Sequence, residues 1–273
     1  MGDEIVKADF HMHTKFSADS DTEPKAMIEQ AIKLGVDTIC FTDHFDKDYP
    51  MIGEEDFTLN TDAYLSTIKE LQEAYKDKID IRIGVELGLQ PHLGKFYHEY
   101  VKKYPFDFVI GSIHVVEGQD PYYGGLFETH SDEEAYRRTF EETLLNIKSN
   151  TDFDVLGHID YVVRYGKTQA ENYSYQKYAD VIDEILKYLI EHGKGIEVNT
   201  SGWKYGLSFA HPHPDILKRY RELGGEIITV GSDGHKPEHM AYDFHRVSDL
   251  LRGCGFKNYT EFKQRKPFFQ QLP

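Results

Sequence analysis

Strand-like apolar runs, several of them rich in β-branched residues, alternate along the chain with longer stretches in which apolar and polar positions recur at helical spacing. The first pattern predicts strands at 5–10, 37–41, 79–85, 106–112, 154–156, 195–198 and 226–230. The second predicts helices at 24–34, 62–75, 132–148, 175–191 and 214–223, a shorter one at 94–103 and a last one at 242–252. Local signals agree with these bounds. Pro24 suits a first helical turn and Gly35 a stop. Ser131 and Glu134 have the spacing of a capping box, and Gly193 follows His192 as a second stop. Seven strands alternating with helices predict an α/β fold with a parallel sheet, closed as a barrel or doubly wound. The tail at 258–273 has no clear periodicity and is expected to pack as a loop or short helix. No repeat, low-complexity tract or long linker interrupts the pattern, so residues 1–273 are read as a single domain.

The strand ends carry the chemistry. The first strand ends in His11-Met12-His13 and the second runs into Thr42-Asp43-His44. The third reaches Glu86, the fourth His114, the fifth His158, and the seventh Ser232-Asp233-Gly234-His235. In a parallel sheet all of these lie at the C-terminal face, where α/β enzymes place their active sites. His11 and His13, two apart on an extended chain, point to the same side and can share an ion. Imidazole nitrogen with carboxylate oxygen suits zinc, manganese or iron. Glu86, alone among so many histidines, has the place of a bridge between two ions, and Asp19 in the following polar loop can reach over the same opening. Taken singly, each residue reads as well as a capping or hydrogen-bonded side chain; the coincidence at six strand ends favours metal. His211-Pro212-His213-Pro214 is a second His-x-His, but in a proline-rich helix lead-in, and is read as structural. His92, His98, His130, His192, His239 and His245 are read as loop or surface residues, with His192 complementing a helix C-terminus.

Composition narrows the function. The formal charge is -16, which disfavours a general duplex-DNA binder but not a small phosphorylated substrate, because bound cations reverse the charge inside one cleft. No segment approaches the roughly 18–20 apolar residues that span a bilayer, and residues 1–7 lead into the first strand without a signal-like segment. Cys40 and Cys254, in apolar surroundings, are expected as buried free thiols. A cytoplasmic protein with no membrane and no nucleic-acid partner is expected; the oligomeric state is left open.

The segments Asp9-Phe10-His11-Met12-His13-Thr14, Phe41-Thr42-Asp43-His44, Gly84-Val85-Glu86, Gly111-Ser112-Ile113-His114, Gly157-His158-Ile159-Asp160 and Gly231-Ser232-Asp233-Gly234-His235 resemble, in this order, the motifs of the polymerase and histidinol phosphatase (PHP) family. Ile196-Glu197-Val198-Asn199-Thr200-Ser201-Gly202 resembles its histidinol-phosphatase branch. The resemblance implies a distorted (β/α)7 barrel with three divalent transition-metal ions at the C-terminal ends of the strands. It assigns His11, His13, Glu86 and Asp233 to the first ion, Glu86, His114 and His158 to the second, and Asp19, His44 and His235 to the third. It further implies a phosphomonoesterase that hydrolyses L-histidinol phosphate in histidine biosynthesis. One departure stands out: Trp203-Lys204-Tyr205 follows the Asn-Thr-Ser-Gly segment where the branch often has Leu-Arg, so Lys204 would replace a phosphate-binding arginine.

The expected chemistry is in-line attack on phosphorus by a water activated between the first two ions, with Arg164 and the third ion on the phosphate oxygens. Asp160 is expected to donate or relay the leaving group's proton, or else His44 if it does not bind metal tightly. Asp160 or Glu117 would pair with the substrate ammonium, and Phe16, Tyr122 or Tyr123 would cover its ring. The alternatives are a PHP phosphoesterase acting on nucleotides or phosphotyrosine, an amidohydrolase-type barrel, or a non-catalytic metal-stabilised domain. An amidohydrolase normally needs a bridging carboxylated lysine or its equivalent, and a decayed domain should have lost ligands; all nine are present.

Overall fold

The computed structural model describes residues 5–50 and 56–273; the first four positions of the 1–7 segment lie outside the described residues. In chain order the elements are β1 (Ala8–Asp9), α1 (Pro24–Leu34), β2 (Thr38–Phe41), β3 (His44–Phe45), α2 (Thr61–Tyr75), β4 (Asp80–Gly88), α3 (Gly94–Lys103) and β5 (Phe108–Ser112). Then come α4 (Gly125–Thr129), α5 (Asp132–Ser149), β6 (Val155–Leu156), α6 (Ala179–Glu191), β7 (Gly195–Asn199), α7 (Ser201–Lys204), α8 (Pro214–Glu222), β8 (Ile228–Gly231), α9 (Val247–Gly253), β9 (Asn258–Lys263) and β10 (Lys266–Gln271).

Strands β1, β2, β4, β5, β6, β7 and β8 pair in that order, every pair parallel, and β3 adds a two-residue pairing to β4. Between β8 and β1 the ring closes through single backbone bonds: Phe10 N–H donates to Val230 O at 2.9 Å, and Asp233 N–H to His11 O at 2.8 Å. The result is the distorted barrel expected, with helices outside. Strands β2, β5, β7 and β8 are buried at every position, as strands covered on both faces must be.

The helix punctuation follows from local chemistry. Pro24 opens α1, and Gly35 closes it in the left-handed conformation at φ 73°, returning its N–H to Ala31 O and Ile32 O. Ser131 and Glu134 form both bonds of the capping box on α5. The helix expected from 175 starts as a 3-10 segment, Tyr175–Tyr178, and becomes α-helical at Ala179. The last helix begins late because Asp243 sits at φ 54° before a 3-10 segment.

The tail corrects the sequence reading: it is a hairpin, β9 against β10, rather than a loop or helix. Its turn places Gln264 and Arg265 at φ 51° and 62°, a conformation usually announced by Asn-Gly or Asp-Gly. Strand β10 has no buried position, so no alternation of apolar and polar residues marked it. The inner strand seals the lower end of the barrel, where Phe262 packs on Phe108 at 5.0 Å between ring centroids and Phe108 meets Phe10 at 5.3 Å. Cys40 and Cys254 are buried free thiols. Among the described residues no helix is long and apolar enough to cross a membrane.

Candidate metal centre

At the opposite end, the residues expected as ligands converge on a cavity of about 550 Å³. His11 and His13 extend from β1, and their Nε2 atoms stand 3.1 Å apart. From His11 Nε2 it is 3.1 Å to Glu86 Oε2 and 3.7 Å to Asp233 Oδ1; from His13 Nε2 the same atoms lie at 3.4 and 3.3 Å. A tetrahedral ion with bonds near 2.1 Å separates its ligand atoms by about 3.4 Å, so these four residues have the spacing of one shared cation. The other oxygen of Glu86 lies 3.1 Å from His158 Nε2 and 3.3 Å from His114 Nε2. Asp19 Oδ2 is 3.0 Å from His235 Nε2 and 3.5 Å from His44 Nε2.

The donor set fits divalent cations on an observation independent of the spacing. Glu86 Oε2 is buried and makes no hydrogen bond, although three imidazole nitrogens surround it. Burial alone would push the Glu86 carboxyl up, but His11, His114 and His44 outweigh it and hold it well below the usual carboxylate range. Asp233 shows the same balance, with burial opposed by His11, His13 and His235. Burial, with His44 and His235 close by, pushes His13 down to about 3, which leaves it a neutral lone-pair donor.

Supporting side chains orient this set. His11 Nδ1 donates to Glu197 Oε1 at 2.6 Å, and His114 Nδ1 to Asp46 Oδ2 at 2.7 Å. Such carboxylate–imidazole pairs select the tautomer that offers the other nitrogen to a metal. Asp9 takes the backbone N–H and the hydroxyl of Ser232, and so braces the turn before Asp233; burial pushes its pKa up to about 6. Asp233 itself sits at φ 52°, a strained conformation for a non-glycine residue, which aims its carboxylate back over β1. Sequence reasoning had missed Glu197 and Asp46 as supporting residues. Asp46 lies two residues beyond His44, and Glu197 points inward from β7, between the ligand-bearing strands β6 and β8; that inward alternation was the available signal.

Arg164, Lys204, Tyr122 and Tyr123 line the cavity, as do seven of the expected ligands, Asp19, His44, Glu86, His114, His158, Asp233 and His235; His11 and His13 are fully buried and are not part of the lining. Arg164 is fixed by a 2.6 Å bond to Tyr165 Oη, and its guanidinium carbon lies 4.3 Å from the Tyr205 ring centroid and 5.4 Å from that of Tyr161. Lys204 Nζ donates to Asp233 O at 3.0 Å, and burial lowers its pKa from the ordinary value.

Other expectations meet a different geometry. Asp160 is fully buried and does not line the cavity; its carboxylate accepts from His211 Nδ1 at 2.7 Å, His213 N–H at 2.8 Å and Tyr173 Oη at 2.9 Å. Its hydrogen bonds tie it to Tyr173 and to the loop that carries His211 and His213. Glu117 lies outside the cavity lining and pairs with Arg138. Phe16 packs edge-on against Tyr64 instead of over the mouth. In their place the lining includes Asp120, which accepts from Tyr49 Oη at 2.5 Å, and His239, read from sequence as a surface residue.

A family model described as the PHP domain matches residues 9–201. The chain is 32% identical over 268 residues to a histidinol-phosphatase of Lactococcus lactis subsp. lactis, covering 96% of each chain. To a probable histidinol-phosphatase of Clostridium acetobutylicum it is 33% identical over 252 residues, 91% of this chain and 94% of the relative. A crystal structure of histidinol phosphate phosphatase from Lactococcus lactis, complexed with zinc, L-histidinol and phosphate, matches with a TM-score of 0.88 at 32% identity, covering 97% of this chain and all of that one.

Proposed function

The chain belongs to the PHP domain family, and we propose that it is a histidinol-phosphatase, a metal-dependent phosphoric monoester hydrolase that releases L-histidinol and phosphate from L-histidinol phosphate in histidine biosynthesis. One observation carries the metal part of this reading. The two oxygens of Glu86 face different imidazole groups, one His11, His13 and His44 and the other His114 and His158, as a carboxylate bridging two cations does. Asp19, His44 and His235 are the ligands of a third ion. Zinc, which the solved relative holds in its complex, is the metal we assign here.

Bound divalent ions would supply positive charge for the phosphate and lower the pKa of a water to make a nucleophile near neutral pH. The cavity needs that charge: among the described residues it is lined by the carboxylates of Asp19, Asp46, Glu86, Asp120 and Asp233 but by only Arg164, Lys204 and Lys236 as permanent cations. Arg164, held among tyrosine rings, offers a fixed planar fork to phosphate oxygens, and Lys204 adds a point charge. Asp120 takes the ammonium-binding role that Asp160 and Glu117 are not placed to fill. Tyr122 and Tyr123 stand beside it to cover the imidazole. Of the two groups expected to protonate the leaving oxygen, Asp160 does not line the cavity, and His44 faces it but is committed to the third ion, so a water held by the ions is the donor in this reading.

The deciding assay uses protein with its metals counted and a panel of phosphate esters: L-histidinol phosphate, a nucleotide, phosphotyrosine and p-nitrophenyl phosphate. The kcat/KM for L-histidinol phosphate should exceed that for p-nitrophenyl phosphate by roughly 10-fold or more, because an ester without the amine forgoes a charge-assisted hydrogen bond to Asp120 worth about 1.5–3 kcal/mol. A clear preference for the nucleotide or phosphotyrosine would keep the phosphatase and defeat the substrate.

A further inference from the structure

Six of the seven barrel strands end in a residue assigned to an ion, and β7 does not. From that strand Glu197 points inward at 1% exposure. Its Oε1 accepts the Nδ1 proton of His11 at 2.6 Å. Its Oε2 accepts the backbone N–H of His158 at 3.0 Å and the amide of Asn199 at 3.2 Å. The barrel leaves space for this carboxylate with glycines: a Cβ at Gly231 would stand 2.5 Å from Oε1 and 2.3 Å from the Cβ of His11. Among the described residues no lysine or arginine pairs with Glu197; its ion pair is with His11. The contrast is Asp154 at the lower end of the barrel, which has Arg265 as a permanent partner. A buried carboxylate without such a partner is costly unless positive charge is supplied nearby.

We propose that Glu197 is a positioning residue that serves two ions at once. An ionised carboxylate only accepts hydrogen bonds, so its contact with Nδ1 fixes His11 as the Nδ1–H tautomer and leaves the Nε2 lone pair for the first ion. The other oxygen of the same carboxylate holds the backbone of His158, a ligand of the second ion. One side chain on the ligand-free strand therefore sets the spacing across the Glu86 bridge. This inference rests on the ligand assignment above and is independent of which alcohol is released.

The test strips the full chain of metal and titrates zinc back against a chromophoric chelator, for the wild type, Glu197→Gln and Glu197→Asp. Glu197→Gln keeps the shape and should weaken the first two ions by roughly 10–100-fold. At saturating zinc its kcat should recover most of the loss while KM stays near the wild-type value, and Glu197→Asp should fall between the two. A structural carboxylate would instead give full-affinity binding with lowered thermal stability, and that result overturns the proposal. If Glu197→Gln does not fold, nitrogen–proton correlation spectra of the zinc-loaded wild type decide: an Nδ1–H signal for His11 supports the assignment, and an Nε2–H signal overturns it. A wild type that takes up no zinc defeats the ligand assignment and this inference together, whereas failure on L-histidinol phosphate alone leaves the titration result standing.

Discussion

On the floor of the cavity the side chains come from strand ends and from the short turns beyond them, and most are held from behind by a second polar group. His11 leans on Glu197, His114 on Asp46, and the turn carrying Asp233 on Asp9. The wall comes instead from short helical turns in the loops: Asp120 and Tyr122 around the 3-10 segment Pro121–Tyr123, Arg164 in Tyr161–Tyr165, and Lys204 at the end of α7. Floor residues such as His11, His13 and Glu86 have no exposed surface, whereas Tyr122 is 66% and Tyr205 54% exposed. A floor this constrained holds charge in one place, and a wall this exposed can be rebuilt for another substrate. Chemistry should therefore be lost at the floor and selectivity at the wall.

The largest expected effect is at the bridge. Glu86→Gln should lower kcat on the order of 10³-fold, with the circular dichroism spectrum unchanged and fewer metals by elemental analysis. If turnover stayed near the wild-type value, the two-ion floor would be the wrong picture. Next comes the third ion: His235→Asn should lower kcat/KM by about 10²-fold, acting on both phosphate affinity and turnover. Steady-state kinetics and inhibition by inorganic phosphate measure the two parts separately, and no change in either would make that site dispensable.

At the wall, Asp120→Asn should lower kcat/KM for L-histidinol phosphate by roughly 10-fold, equivalent to about 1.4 kcal/mol, and leave p-nitrophenyl phosphate nearly untouched. An equal loss on both esters would place Asp120 in the chemistry rather than in recognition. The smallest effect sharpens the same boundary. Glu117→Ala removes an exposed pair with Arg138 outside the cavity, so kinetics on either ester should stay within about twofold of the wild type and stability within about 0.5 kcal/mol. A selective loss on L-histidinol phosphate would return the ammonium contact to Glu117.

Most of the barrel could be read from the chain because its strands and helices announce themselves locally. Pro24 and Gly35 bound α1 as expected, and the Ser131–Glu134 box opens α5. The positions of His11, His13, Glu86, His114, His158 and Asp233 at one end followed from a single premise, that the strands run parallel. The hairpin at 258–271 escaped because its turn lacks glycine and its outer strand has no buried face.

What the sequence determined by itself was the inventory and polarity of the site: which donors exist, and which end of the sheet they share, because strand direction orders them before any packing is known. Which carboxylate faces the cavity was decided only in three dimensions. Asp160 is two residues from His158 and Asp120 six from His114, yet Asp160 turns inward to His211, 51 positions away, while Asp120 faces the opening. A loop side chain's direction depends on the partners that long-range packing delivers to it, and hydrogen bonds to a buried carboxylate outweigh nearness along the chain.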